Sequence, residues 1–213
     1  MGASREALDG WITAERDASL ERLFALLRFP SVGTDPAHDA DTRACAEWLA
    51  GELAGMGFAA RTVATAGQPV VLAHHDGPGG EAPHLLYYGH YDVQPADPLQ
   101  LWTTPPFEPT LVEGDRGERI VARGAVDDKG QVTTFLEAFR AWIAVHGTLP
   151  CRVTVFLEGE EESGSPSLDA FLAAHAAELA ADVCVVSDTG MWDVDTPALT
   201  TRLRGLVYLQ LDL

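Results

Sequence analysis

The sequence predicts an α/β fold in which helices flank a mostly parallel, mixed sheet. Short apolar runs bounded by glycine and proline alternate with helical patterns in the second half of the chain. This alternation is typical of parallel βαβ units. Of the 213 residues, 46% are hydrophobic, which is enough to bury an ordinary core. We therefore expect a folded α/β unit of one domain or slightly more.

The elements follow from the spacing of apolar residues. Helical spacing predicts helices over residues 1–29 and 39–58, each followed or closed by glycine and proline. Apolar runs separated by Gly and Pro clusters then predict strands at 58–64, 69–76 and 84–92. The remaining predicted elements are a strand and loop over 118–130, a helix over 131–147, a strand over 151–159, a helix over 165–181 and a strand over 182–190.

The last eight residues, LVYLQLDL, alternate apolar and polar side chains over 206–213. That alternation predicts a strand with one buried face, within which the chain stops. Because an unpaired strand edge invites aggregation, we expect this chain to be part of a longer polypeptide.

Composition excludes several classes of partner. The 32 acidic and 14 basic residues give a formal charge of -18, which repels nucleic-acid phosphates and anionic membranes. No apolar stretch has the ~18 residues of a membrane span, and the start lacks the apolar core of a signal peptide. We therefore expect a cytoplasmic location. Three cysteines without Cys-x-x-Cys spacing predict reduced core residues: Cys45, Cys151 and Cys184.

Polar clusters follow four of the predicted strands, in the place where ligands of open α/β sheets bind. They are His90 with Asp92, Asp127 with Asp128, Glu160 to Glu162, and Asp188. If these strand ends meet in one crevice, their carboxylates repel one another unless a cation compensates. A histidine among oxygens favours zinc, manganese or cobalt over calcium or magnesium.

Two of these clusters have a spacing that suits metal chemistry. Residues two apart on a strand point to the same side, so His90 can bind a metal while Asp92 orients its ring. Adjacent side chains diverge, so one of Glu161 and Glu162 can bind metal while the other stays free as a base. The alternative is ordinary surface chemistry: a His-x-Asp pair, a solvated glutamate loop, and an acidic first turn of a helix at "DDKG".

Four motifs carry a resemblance to a known family. "YYGHYDVQP", "PFEPTLVEGDRGERIVARGAVDDKG", "FLEGEEESGSP" and "VVSDTG" resemble, in order and spacing, the dinuclear zinc exopeptidases and deacylases. That family includes carnosinase, cytosolic nonspecific dipeptidase, glutamate carboxypeptidase and acetylornithine deacetylase. "GHYDVQP" and "EEESGS" are more similar to its dipeptidase branch.

The resemblance implies a three-layer zinc-exopeptidase-like catalytic domain and a role for each site residue. It implies two divalent ions, zinc first and manganese or cobalt as alternatives. His90 and Asp188 would bind one ion, Asp127 would bridge both before a cis peptide bond to Asp128, and Glu162 would bind the other. Glu161 would be the general base for a metal-bridging hydroxide, and Asp92 would orient His90.

The resemblance also implies what lies beyond this chain. Family members are about twice as long, form dimers, and insert a lid or dimerisation domain near residue 201. We therefore expect residues 1–200 to be the N-terminal part of a metallopeptidase catalytic domain and residues 201–213 to begin the lid. Because family members take a final histidine ligand from beyond that insertion, we expect this chain alone to be inactive or nearly so.

The expected activity is hydrolysis of dipeptides or of C-terminal residues of small peptides. One alternative is an N-acyl amino-acid deacylase of the acetylornithine deacetylase or desuccinylase type, on the same site. Another is a non-catalytic remnant that keeps the metal. Nucleotide binding is disfavoured, because no strand leads into a Gly-x-Gly-x-x-Gly motif or a P-loop.

Overall fold

The structure is a computed structural model that describes residues 2–211. Its helices are α1 (Gly2–Ala14), α2 (Arg16–Leu27), α3 (Asp39–Gly55), α4 (Lys129–His146) and α5 (Leu168–Leu179). Its strands are β1 (Ala59–Val63), β2 (Val70–His75), β3 (His84–His90), β4 (Thr110–Gly114), β5 (Gly117–Val121), β6 (Arg152–Glu158) and β7 (Val183–Val186). No helix in this part of the chain has the length and apolar character that a membrane span requires.

The main sheet has five strands in the order β1-β2-β6-β3-β7. The β3 strand pairs in parallel with β6 on one side and with β7 on the other. The β2 strand is antiparallel to both of its neighbours, so β1 runs in the same direction as β3, β6 and β7. Four of the five strands thus share one direction, and the prediction of a mostly parallel mixed sheet is confirmed.

Helices cover both faces of this sheet, as its pleat dictates. In β2, Val71 and Ala73 pack into the larger core, to which α3 and α4 contribute Leu49 and Leu136. Val70 and Leu72 point the other way and pack against α5 through residues such as Phe171 and Leu179. Successive residues of a strand face opposite sides of the sheet, so a strand covered on both faces reads as an unbroken apolar run. The predicted three-layer architecture is confirmed.

The N-terminal helical region differs from the prediction of one helix over 1–29. The helix breaks at Glu15, and α1 and α2 are separate helices that both pack against α4. Apolar spacing is preserved across the break, and so the sequence pattern does not reveal it.

The strand predicted within residues 118–126 is shorter than expected and does not belong to the main sheet. It ends at Val121 and pairs with β4 in a separate two-stranded hairpin closed at Gly114 and Gly117. Gly124 has a φ of +82°, a left-handed conformation that ends extended structure and that glycine adopts without strain. Asp127 and Asp128 therefore lie on a loop that leads into α4, not at the end of a strand of the main sheet.

The C-terminal strand prediction is wrong for the residues that can be compared. Residues 197–211 form no helix or strand, and the apolar side chains at 206, 207, 209 and 211 are exposed. Alternation defines only which side chains share a face, whereas a stable strand requires a neighbouring strand for its backbone. No strand within residues 2–211 pairs with this segment, and residues 212–213 lie outside the described part.

The three cysteines are free thiols, but only one of them is a fully buried core residue. Cys45 is buried in α3, Cys151 is half-buried and packs against the core, and Cys184 is exposed. Cys184 lies on β7, which is the edge of the sheet, where the described residues cover neither face completely. The prediction of a core position for Cys184 is therefore wrong.

Candidate metal centre

His90 lies at the carboxyl end of the strand between β6 and β7. Its side chain is fully buried. Because β6 and β7 run parallel to β3, the loops that follow all three strands start at the same edge of the sheet. This edge is the position at which ligands bind in open α/β folds. It brings together His90, the glutamates of 160–162 and Asp188.

Two carboxylates face the outer nitrogen of the His90 imidazole. Nε2 lies 3.1 Å from Asp127 Oδ1 and 3.9 Å from Asp188 Oδ2. One ligand atom from each of the three residues lies within 4.8 Å of the others. Ligands held at about 2.0–2.2 Å from a tetrahedral zinc ion are roughly 3.3 Å apart, so these residues fit a divalent metal in both donor type and spacing.

The other ring nitrogen of His90 faces Asp92. Nδ1 is 3.1 Å from the Asp92 backbone carbonyl and 3.3 Å from its Oδ1. A proton on Nδ1 can be donated to either oxygen, which leaves the Nε2 lone pair directed at Asp127 and Asp188. The structure thus places Asp92 in contact with His90.

Asp92 has a second contact that the sequence did not reveal. Its two carboxylate oxygens accept hydrogen bonds from the backbone N–H groups of Glu161 and Glu162, at 3.2 and 3.1 Å. Asp92 is fully buried, so these bonds are shielded from water. The same side chain therefore fixes both the imidazole and the backbone of the glutamate loop.

The three consecutive glutamates point to three different partners. Glu160 turns away from the site, and its carboxylate accepts hydrogen bonds from the backbone N–H groups of Gln68 and Ser167. Glu161 Oε2 is 3.9 Å from His90 Nε2. Glu162 Oε2 accepts a 2.7 Å hydrogen bond from the Gln94 amide. Glu162 is not a member of the close cluster of three ligand atoms, although its carboxylate interacts electrostatically with Asp127.

Comparison with protein families identifies this arrangement. Residues 86–201, which are more than half of the chain and include His90, Asp127 and Asp188, match the model of peptidase family M20/M25/M40. The chain belongs to this family. The expectation drawn from the four motifs is therefore confirmed at the level of the family.

Relatives of this M20 chain include enzymes named as dipeptidases. It is 32% identical over 200 residues to a cysteinylglycine-S-conjugate dipeptidase of Corynebacterium striatum, covering 93% of this chain and 43% of the relative. It is 35% identical over 152 residues to a succinyl-diaminopimelate desuccinylase of Aromatoleum aromaticum, covering 70% and 37%. The chain thus spans less than half the length of these curated relatives.

Solved structures give the same result. The dipeptidase Dug1p of Saccharomyces cerevisiae superimposes with a TM-score of 0.79 at 27% identity, covering 90% of this chain and 42% of that one. Human carnosine dipeptidase 1 superimposes with a TM-score of 0.78 at 27% identity, covering 88% and 41%. The M20 fold assignment therefore rests on both sequence and structure.

Crowded acids around His90 set the electrostatics of the M20 site. Burial alone lowers the pKa of His90, but the hydrogen bond to Asp92 and the surrounding carboxylates outweigh burial and raise it to about 10. Burial also raises the pKa of Glu161 and of Glu162. Without metal, a proton on His90 supplies the positive charge that this cluster of acids requires. A metal ion that binds Nε2 must displace that proton.

Two buried residues next to the site, Asp128 and Lys129, have surroundings that the sequence did not reveal. Asp128 Oδ2 accepts a 3.1 Å hydrogen bond from the His90 backbone N–H, and its Oδ1 is buried without a hydrogen-bond partner among the described residues. Burial raises the pKa of Asp128 to about 7. Lys129 is fully buried, and burial lowers its pKa. The peptide bond between Asp127 and Asp128 is cis, as the resemblance implies. From the sequence, "DDKG" predicted a polar cluster after a strand or, as the alternative, the acidic first turn of a helix.

We expect Gly33→Ala to destabilise the protein by about 1–3 kcal/mol, because a methyl group there would be too close to the buried residues around Asp92. A Cβ on Gly33 would lie 2.7 Å from Asp92 Oδ2 and 2.7 Å from the Gly159 carbonyl oxygen, and both groups are held in place. Urea unfolding of the metal-free protein measures the change.

Gly51→Ala is the matched control. Gly51 lies inside α3, and a Cβ there meets nothing within 4 Å. Alanine should therefore raise the free energy of unfolding by about 0.5–1 kcal/mol through its higher helix propensity. If Gly33→Ala does not lower the free energy of unfolding relative to Gly51→Ala, the residues around Asp92 are not tightly packed.

Proposed function

We propose that this chain forms the metal-binding part of a metallodipeptidase, which hydrolyses the peptide bond of dipeptides or releases C-terminal residues of small peptides. The observation that carries the proposal is the convergence of His90, Asp127 and Asp188 on one point, with the Glu161 carboxylate next to it. The dipeptidases among the M20 relatives support the choice of substrate class.

The proposed centre holds two divalent ions, with zinc as the first choice and manganese or cobalt as alternatives. His90 and Asp188 would hold one ion, Glu162 would hold the other, and Asp127 would be shared by both. The mixed nitrogen and oxygen donors support this choice of metals over calcium or magnesium. Within residues 2–211, Asp127 and Glu162 are the proposed ligands of the second ion, so we propose that full activity requires further ligands.

The side chains divide the chemistry between them. Bound ions would supply Lewis acidity, which would polarise the scissile carbonyl and make water a better nucleophile near neutral pH. Glu161 accepts a proton from the attacking water, whose oxygen bonds to the carbonyl carbon. As the carbon–nitrogen bond breaks, Glu161 donates that proton to the leaving amine nitrogen. Burial raises the pKa of Glu161 above its ordinary value, which makes its carboxylate a stronger base. Asp92 holds the His90 ring in the orientation that binding requires.

Substrate comparison tests the dipeptidase proposal against the deacylase alternative. A zinc-loaded protein that contains this chain at the length of its relatives should hydrolyse Ala-Ala and Cys-Gly much faster than N-acetylalanine or N-succinyl amino acids. The desuccinylase among the relatives is the specific reason to include the second group. Faster hydrolysis of the N-acyl substrates would contradict the dipeptidase proposal and favour the deacylase alternative.

The remaining features of the whole protein are proposals of the same kind. We propose that residues 1–200 belong to the catalytic domain and that residues 201–213 begin a lid or dimerisation domain. The apolar side chains within 203–211 are exposed, and an exposed apolar segment of this kind is typical of an interaction surface, which supports a packing role for residues 201–213. We also propose that the whole protein is a cytoplasmic homodimer without nucleic-acid or membrane partners. The net charge of -18 supports the absence of these two anionic partners.

A further inference from the structure

Lys129 is an ammonium group enclosed in the protein core directly after the Asp127–Asp128 pair. It is fully buried, and its Nζ donates hydrogen bonds to the backbone carbonyls of Leu26 at 3.2 Å and Phe29 at 2.8 Å. A buried charge costs free energy unless it is paired, and apolar residues often replace buried charges without loss of stability. Its two partners are carbonyls at and just beyond the end of α2, where a cation is favourable. Their position relative to the site suggests a function beyond stability.

The segment that accepts the Lys129 hydrogen bonds also forms hydrogen bonds with the residues that follow His90. Two residues beyond Phe29, the Ser31 hydroxyl donates a 2.7 Å hydrogen bond to the Tyr91 carbonyl. The Val93 backbone N–H donates to the Ser31 carbonyl at 2.9 Å. The short segment 26–31 is therefore bonded on one side to the start of α4 and on the other to the residues that follow His90.

The loop that carries Asp127 is fitted around the Lys129 side chain. A Cβ on Gly124 would lie 3.1 Å from Lys129 Cδ and 3.0 Å from a Val93 methyl group. On the other side, a Cβ on Gly130 would lie 2.1 Å from the Ala125 carbonyl oxygen. At Gly124 the loop thus lies against the aliphatic stem of Lys129, and at Gly130 the first turn of α4 lies against the loop backbone at Ala125.

We propose that Lys129 is a positioning residue, which joins the Asp127 loop to the His90 strand through segment 26–31 and thereby sets the spacing of the metal ligands. This inference rests on the proposed metal centre. Asp127 itself is half exposed on the loop, so its carboxylate depends on the loop for its position 3.1 Å from His90 Nε2. Lys129 does not touch the ligand atoms, and its effect passes through the backbone.

Zinc affinity of the Lys129→Met variant tests the proposal, since methionine keeps the aliphatic stem and removes the two hydrogen bonds. Competition with a chromophoric chelator should show a loss of about 10–100-fold, the range typical of residues that orient metal ligands. The visible absorption of the Co²⁺-loaded protein should also change in intensity or band position, because the ligand geometry changes.

Arg22→Met is the matched control for a purely structural effect. Arg22 lies on the same helix, α2, and its guanidinium binds the half-buried Glu137 carboxylate of α4 at 2.6 and 2.7 Å. Its loss should lower the unfolding temperature and leave zinc affinity and the Co²⁺ spectrum unchanged. If Lys129→Met behaves in the same way, Lys129 is only structural and the proposal is overturned.

Ser31→Ala keeps the test decisive if the lysine variant does not fold. It removes the bond to Tyr91 on the other side of the segment, and we expect a smaller loss of zinc affinity with a change of the Co²⁺ spectrum. Wild-type affinity and spectrum in Ser31→Ala would contradict the proposal. If the wild-type chain binds no zinc, the proposed metal centre itself is overturned. If the wild-type chain and the variants bind zinc equally, only the proposal for Lys129 is overturned.

Discussion

Zinc affinity of this chain should fall about tenfold for each unit of decreasing pH between about pH 9 and pH 6. The metal-free His90 has a pKa raised to about 10, so its ring is protonated throughout this range. Binding through Nε2 requires the neutral ring, and each bound ion therefore releases one proton. Chelator competition at several pH values measures the slope, and calorimetry in buffers of different ionisation enthalpy measures the proton release.

Asp188→Asn separates this proton competition from a general loss of affinity. It removes a charged ligand without removing His90, so it should weaken zinc binding at every pH and leave the slope unchanged. A zinc affinity that is the same at pH 6 and pH 8 in the wild-type chain would contradict the displacement of a proton from His90 by the metal ion.

Replacing Glu161 with glutamine should lower kcat for dipeptide hydrolysis by about 10²–10⁴-fold, the usual contribution of a general acid–base group. Glutamine is nearly isosteric but cannot accept the proton of the attacking water. Because Glu161 is not a member of the cluster of three ligand atoms formed by His90, Asp127 and Asp188, zinc content should stay at the wild-type value. The assay requires a protein that carries this chain at the length of its relatives.

Glu160→Gln is the control for this prediction. The Glu160 carboxylate accepts bonds from Gln68 and Ser167 and points away from the site, so its replacement should leave kcat within a small factor of the wild-type value. Unchanged activity in Glu161→Gln would remove the assigned base and favour the non-catalytic alternative. Loss of zinc together with activity would indicate that Glu161 is a ligand.

The sequence was most informative where a strand is buried on both faces. The strands β2, β3 and β6 could be located from apolar runs bounded by glycine, proline or acidic residues, because both faces require apolar side chains. An apolar run of the same kind located β7, although β7 is an exposed edge strand. The rule that ligands bind at the carboxyl ends of parallel strands then led from β3 to His90 and from β7 to Asp188. These inferences follow from local pattern and one general rule of topology.

Other features depend on contacts between distant residues and leave no local pattern. The reversed direction of β2 is decided by its pairing with β1 and β6, which the sequence does not display. Asp127 was predicted at a strand end, whereas a loop shaped by Gly124 carries it. The partners of Lys129 are backbone carbonyls about a hundred positions earlier, and a lysine next to two aspartates resembles any solvated helix start.

Zinc content of the purified chain tests the central claim most directly. After zinc loading and desalting, elemental analysis should find at least about one zinc ion per wild-type chain, and close to none in His90→Ala. His38→Ala is the matched control, because His38 pairs with Asp41 away from the centre and should retain the wild-type content. Wild-type zinc content in His90→Ala, or none in the wild-type chain, would contradict a metal centre formed by His90, Asp127 and Asp188.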